Sequence, residues 1–289
     1  MKSRNYFPYI LETHLTDHCN LNCKGCSHFA PLVKGEVFTD IEIFKRDFKR
    51  FKQLFSDIYE IRLIGGEPLL HPDLVAFCEF IRDLYPKTNI SIFTNGKILL
   101  NIPKIFWSTC AKKDILIKLS YYPIHLDIDQ IKQKAKKHHA RIKIPKQINQ
   151  FFKILNINGD SDPHKSFRNC QTMFKTPFLG DGKLYPCFLP PHIHLFNEYF
   201  NKNIHASEND YINIYEDMDP ADIINFINHP IPMCKWCITK RSFMKWGRSK
   251  RDINEWIGND EDYMTHFFHM SKYHLINSYH QTKRILKHR

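Results

Sequence analysis

No stretch of this chain approaches an uninterrupted apolar span of membrane length, and its opening residues, Met1-Lys-Ser-Arg-Asn-Tyr-Phe-Pro8, carry no apolar segment with a cleavage site behind it. Both absences argue against insertion or export and set the expectation of a cytoplasmic protein. Internal repeats and low-complexity tracts are also missing. Acidic residues are in short supply: 30 against 42 lysines and arginines leave a net charge of +12. Such a surplus suits an anionic partner, whether a phosphorylated small molecule, a nucleic acid or a membrane surface. A solvated Lys-rich surface is the simpler explanation. The surplus is concentrated in residues 132–146 and 272–289. Hydrophobic residues at 43% and aromatics at 14% suffice for a packed core, so a disordered chain is excluded. A length of 289 residues allows one large domain or a large and a small one.

The nine cysteines fall mainly in two places and are odd in number, which points to metal ligation in a reducing compartment instead of a disulfide framework. The first place is Asp17-His-Cys19-Asn-Leu-Asn-Cys23-Lys-Gly-Cys26, a Cx3Cx2C run with no fourth cysteine nearby. Three thiolates on one tight loop can hold three corners of an iron-sulfur cluster and leave the fourth iron without a protein ligand. Zinc is the competing reading, with His18 or His28 completing the set, but structural zinc sites normally close on four protein ligands in paired Cx2C spacing.

The hydrophobic pattern alternates strand, loop and helix. Residues 8–15 read as a strand ending at the cysteine loop, and Thr39-Asp-Ile-Glu42 reads as a capping box before Ile41, Phe44, Phe48, Phe51 and Phe55 at helical spacing. Residues 60–64 form a strand that breaks at Gly65-Gly66-Glu67-Pro68, with a helix following from Pro72. Residues 90–93 lead to Thr94-Asn95-Gly96 and a helix over 105–112, and residues 115–119 lead to Ser120-Tyr121-Tyr122 and a helix over 128–138. Two further strands are expected at 141–144 and 151–155. Repeated strand-loop-helix units imply parallel strands with crossover helices, so the unusual residues at successive strand ends converge on one mouth. Beyond about residue 160 the pattern stops. Asp181-Gly182 between two apolar runs then signals a hairpin, and residues from about 252 look helical, aromatic and basic.

Cx3Cx2C followed by Gly-Gly-Glu-Pro at the next strand end resembles the radical S-adenosylmethionine (SAM) superfamily. The resemblance implies a partial (β/α)6 barrel in which Cys19, Cys23 and Cys26 ligate a [4Fe-4S] cluster. SAM would chelate the open iron, and its reductive cleavage would give a 5′-deoxyadenosyl radical that abstracts hydrogen from a substrate. It further assigns Gly65, Gly66, Glu67 and Pro68 to the methionine end of SAM, and Thr94, Asn95 and Ser120 to its carboxylate and ribose. An electron donor such as flavodoxin or ferredoxin is implied as well. Where many members carry an aromatic residue before the third cysteine, this chain has Gly25, which would shift adenine packing to a group such as Phe29.

Cys170, Cys187, Cys234 and Cys237 form the second set. Their arrangement around the hairpin resembles the Twitch subdomain, a short form of the SPASM extension, which implies one auxiliary [4Fe-4S] cluster; tetrahedral zinc held by the same four thiolates is the competing reading. Cys78 and Cys110 read as buried apolar residues. The expected organisation is a barrel over 1–165, an auxiliary subdomain over 166–250 and a helical extension over 251–289. Tyr121 and Arg168 are the candidate catalytic residues, with Tyr122 and Glu12 also near the mouth. His192 and His194 read as flanking a strand-like Ile, without a partner set, and His138-His139 lie in a basic run. The expected function is radical SAM oxidation of a small, anionic polyol, sugar or nucleotide-linked substrate. Peptide modification is the alternative among enzymes, and a zinc-stabilised nucleic-acid-binding protein the alternative of another class.

Overall fold

The computed structural model describes residues 5–170 and 176–258. The helical extension expected over 251–289 lies almost wholly outside the described residues.

Four strand-helix units and a fifth strand open the fold: β1 (Tyr6–Thr16), α1 (Ile41–Leu54), β2 (Asp57–Gly65), α2 (Leu74–Leu84), β3 (Asn89–Thr94), α3 (Lys104–Lys112), β4 (Ile115–Leu119), α4 (Ile128–Lys137) and β5 (Ile142–Lys143). These strands lie in the order β5-β4-β3-β2-β1, each pair parallel. The crossover helices bury their apolar stripes on one side, as the helical spacing of α1 requires: Phe44, Phe48 and Phe51 are all buried. Phe51 meets Phe7 of β1 edge-on at 5.1 Å, and Phe44 meets Phe77 of α2 at 4.8 Å. Asp40, not Thr39, caps α1, its carboxylate accepting the N–H groups of Glu42 and Ile43. Thr39 instead donates its hydroxyl to His14 O.

The strand expected at 151–155 is present as β6 (Gln150–Leu155), but it leaves the barrel. Its partner, antiparallel, is β10 (Cys237–Lys245). Between them lie α5 (Pro163–Asn169), the hairpin β7 (Phe178–Gly180) and β8 (Lys183–Tyr185), α6 (Leu189–Phe200), β9 (Ile212–Asn213) and α7 (Pro220–Ile227). The hairpin turn is the one Asp-Gly favours, with both Asp181 (φ 49°) and Gly182 (φ 74°) in the left-handed region. β7 pairs in parallel with β1 through Glu12 and Phe178, so the hairpin extends the barrel sheet on its β1 side, making six parallel strands in all before the antiparallel β8 and β9. The buried carboxylate of Asp47 on α1 pins this turn by accepting Gly182 N–H at 2.7 Å.

Residues 189–200, read from sequence as strand-like around Ile193, are helical. Pro190 and Pro191 fall in its first turn, where missing N–H groups cost nothing. A second apolar core forms around Phe29, Phe196, Trp256 and Leu155. It fastens the cysteine loop to the later part of the chain.

Candidate active site

The four predicted strand-end motifs meet. Cys19, Cys23 and Cys26 line one cavity of about 170 Å³ with Gly65, Gly66, Thr94, Asn95 and Ser120. The loops are tied together by backbone bonds: Gly66 N–H donates to Thr16 O at 2.7 Å, Glu67 N–H to His18 O at 3.0 Å and Ser120 N–H to Thr94 O at 2.8 Å. Gly66 is required by close approach, since a Cβ there would overlap His18 O and lie 2.5 Å from Asp17 O, both backbone atoms.

Glu67 does not face the cavity. Fully buried, it accepts Asn95 N–H at 2.8 Å and Leu69 N–H at 3.2 Å, so its carboxylate buttresses the loops after β2 and β3. Burial raises its carboxyl to about 7, against the hydrogen bonds that favour the anion. Pro68 begins a buried single turn behind it. Asn95 Nδ2 reaches Asn20 Oδ1 at 2.7 Å and Cys19 Sγ at 3.6 Å.

The donor set fits an iron-sulfur cluster with an open corner. Burial pushes the Cys19 thiol up to about 12, helped by Glu67 and Cys26, and it raises Cys23 and Cys26 as well. Desolvated thiols this close need a cationic centre before all three ionise. The indole N–H of Trp246 is buried without a hydrogen-bond partner and lies against Cys23, whose ionisation it favours; a thiolate there would satisfy it. His18 is tied through its Nδ1 to Thr16 Oγ1 at 2.7 Å and Val37 N–H at 3.0 Å and does not line the cavity of the three thiols. His28 turns its Nδ1 to His14 Nε2, 2.8 Å away.

Gly25 departs from an aromatic for a steric reason. At φ 61°, a Cβ there would overlap Met244 Cε and lie 2.7 Å from Glu255 O. Phe29 cannot take over adenine packing, because it is fully buried in the second core. The aromatic groups that do line the cavity are Phe93 and Tyr122.

Below the mouth the barrel interior is ionic. Arg62 donates to Glu12 at 3.1 Å and to Glu60 at 3.2 Å, while Glu60 also accepts from Ser91 at 2.6 Å and pairs with Lys118. Burial raises Glu12, whereas Arg62 and Lys118 outweigh burial at Glu60 and lower it. The register explains the cluster: Glu12, Arg62 and Ser91 are direct cross-strand partners.

A larger cavity of about 390 Å³ joins the two cysteine sets. Cys26, Gly25 and His28 line one side, and Cys170, Cys187 and Cys237 line the other. The four later thiols are mutual neighbours, since Cys170, Cys187 and Cys234 add to the burial that raises Cys237. Tyr122 lines both cavities, stacked 5.9 Å from Trp246 and edge-on to Phe151. The two residues expected to be catalytic lie elsewhere. Tyr121 packs against the helical core, and Arg168 is exposed on α5 with its neighbour Asn169 reaching the cavity instead.

His192 also departs from expectation. It is buried on α6 with its ring 4.1 Å from that of His14, and Phe188 O accepts its Nδ1–H at 2.7 Å. Burial and the nearby His14 hold both His192 and His28 neutral. No sequence spacing could have joined positions 14, 28 and 192.

Comparison with known proteins follows the barrel. Residues 13–145 match the family model described as the Radical SAM superfamily. A GTP 3′,8-cyclase of Streptomyces coelicolor is 39% identical over 89 residues, covering 30% of this chain and 26% of that protein. Molybdenum cofactor biosynthesis protein 1 of Bos taurus is 37% identical over 91 residues, covering 30% of this chain and 14% of that one. The chain thus spans about a quarter or less of these two curated relatives. BtrN, solved in complex with AdoMet and 2-DOIA, has the same fold with a TM-score of 0.50 at 15% identity, covering 80% of this chain and 92% of that chain. No helix among the described residues is long and apolar enough to cross a membrane.

Proposed function

We infer, for a chain whose residues 13–145 are a radical SAM domain using a [4Fe-4S] cluster and SAM, that it abstracts hydrogen from an anionic, nucleotide-linked small molecule held between two metal centres. The observation that carries this reading is the shared cavity, with Cys26 on one wall and Cys170, Cys187 and Cys237 on the other. When bound, the groups supply a carbon-centred radical on one side and, in a second [4Fe-4S] cluster, a one-electron acceptor on the other, which suits a net oxidation.

The chain's own residues bind, orient and exclude water. Cys19, Cys23 and Cys26 would hold the first cluster, and Cys170, Cys187, Cys234 and Cys237 the second. Backbone groups of Gly65 and Gly66 present the methionine end of SAM, with Thr94, Asn95 and Ser120 along the rest of the same cavity. Tyr122 separates the two cavities, and its stacking on Trp246 fixes its ring. Lys153 and Lys240 place positive charge on the wall of the larger cavity, and Gln150 and Asn169 add polar groups. Cations beside aromatic Phe151 and Phe152 suit a phosphate and a base or sugar ring better than a neutral polyol. The GTP 3′,8-cyclase names of the curated relatives support the same choice. Oxidoreductase chemistry and reduction by flavodoxin or ferredoxin belong to this proposal. So does the division into a barrel over 1–165 and a Twitch-like subdomain over 166–250.

The test is anaerobic turnover with dithionite and SAM. Release of 5′-deoxyadenosine by the wild type, its loss in Cys23→Ala, and deuterium transfer from a labelled nucleotide-linked compound into that nucleoside are the expected results. Deuterium transfer from a labelled peptide instead would replace the substrate class.

A further inference from the structure

We propose that His14, His28 and His192 form a third metal site, separate from both cysteine sets, for a divalent first-row cation of the zinc class. Their ligand atoms lie within 4.8 Å of one another, and among the described residues they are the group of histidine, cysteine and acidic side chains gathered closely enough for a single ion. His14 and His192 are buried and His28 is half-buried.

The hydrogen bonds around the three rings prepare them as ligands. His14 Nδ1–H donates to Asp17 Oδ1 at 2.7 Å, and His192 Nδ1–H donates to Phe188 O at 2.7 Å. Both rings therefore carry a lone pair on Nε2, aimed into the cluster. This is the outer-shell pattern of metal-bound imidazoles, in which the second nitrogen donates to a carboxylate or a carbonyl. His28 Nδ1, 2.8 Å from His14 Nε2, donates to it in the metal-free protein. Binding an ion moves that proton to His28 Nε2, so the ring stays neutral and Nδ1 becomes the third ligand.

Three imidazoles suit zinc, nickel, copper or iron better than magnesium or calcium. A tetrahedral ion with bonds of about 2.0–2.1 Å spaces its ligands roughly 3.4 Å apart, between the 2.8 Å that separates His14 Nε2 from His28 Nδ1 and the 4.8 Å that bounds the cluster. Asp17 Oδ1 lies 3.8 Å from His192 Nε2, so a carboxylate offsets the ion's charge without occupying a position. A cavity of about 130 Å³ reaches His14, Asp17 and His192 and leaves room for a fourth, exchangeable ligand. Phe178 closes the cluster on one side, its ring 5.2 Å from His14 and 4.9 Å from His192.

The location gives the site a role. His28 follows Cys26 by two positions and His192 follows Cys187 by five, while His14 sits on β1. An ion there would clamp the first cysteine loop, the barrel and α6 together and fix the spacing of the two cysteine sets.

The experiment uses anaerobically reconstituted protein, equilibrated with zinc sulfate and then dialysed against metal-free buffer. One zinc per chain beyond the iron is expected, with a zinc-edge X-ray absorption first shell of nitrogen and oxygen near about 2.0 Å. His192→Gln should lower retained zinc at least tenfold with iron content unchanged. His229→Gln, exposed and bonded to the end of α7 at Asn225 O, should retain it. Failure of the wild type to retain zinc, sulfur scattering near about 2.3 Å, or full retention by an iron-replete His192→Gln would each overturn the proposal. Should that variant lose its iron, the wild-type absorption edge decides.

Discussion

Glu67 Oε2 accepts the backbone N–H of Asn95 at 2.8 Å, joining the loop after β2 to the loop after β3 through a carboxylate that never meets solvent. Its partner oxygen serves Leu69 N–H. The glutamate of the Gly-Gly-Glu-Pro segment therefore acts as a positioning residue, while Gly65 and Gly66 line the cavity itself.

Removing that brace should separate binding from cluster assembly. Glu67→Ala leaves two buried N–H groups without acceptors, at about 1–3 kcal/mol each. Calorimetric titration should show SAM affinity falling at least tenfold while iron content stays near the wild-type value. An unchanged affinity would remove Glu67 from the binding architecture.

The same carboxyl makes a pH prediction. Because burial raises it from 4.5 to about 7, the folded state holds the proton more tightly than the unfolded chain does. The resulting stabilisation is complete below about pH 4.5 and is lost as pH rises through about 7. Denaturant unfolding should show the stability gap between wild type and Glu67→Ala narrowing over that window, by as much as roughly 3 kcal/mol. A gap that widens with pH would mean that the two N–H donors, not burial, control the group.

Tyr122, rather than Tyr121, should prove sensitive. Tyr122→Ala removes the ring that lines both cavities and stacks on Trp246, so product formation should drop by about a hundredfold, roughly 3 kcal/mol. Tyr121→Phe and Arg168→Gln should stay within about twofold, since neither side chain lines either of these two cavities. Steady-state assay of nucleoside and product checks all three.

Much of the barrel was legible because each parallel strand needs a crossover helix, and periodicity marks both. The strand ends at Thr16, Gly65, Thr94 and Leu119 fall where the motifs place them. Asp181-Gly182 likewise dictates its own turn. What stayed hidden depends on contacts distant in sequence. β6 leaves the barrel only because β10, some eighty positions later, offers it an antiparallel edge. Helix α6 was obscured by His-Ile-His-Leu alternation after two prolines. Tyr121 and Tyr122 are adjacent, so pattern alone could not say which faces inward. Gly25 makes sense only once Met244 and Glu255 occupy the space beside it.

The most direct test of two iron-loaded sets facing one cavity is an anaerobic iron count with electron paramagnetic resonance, on wild type and on the Cys19→Ala/Cys23→Ala/Cys26→Ala variant. The wild type should carry roughly eight irons per chain and the variant roughly four, with a reducible signal but no 5′-deoxyadenosine release. Four irons in the wild type with stoichiometric zinc on sulfur, or a variant devoid of iron yet folded, would contradict the account.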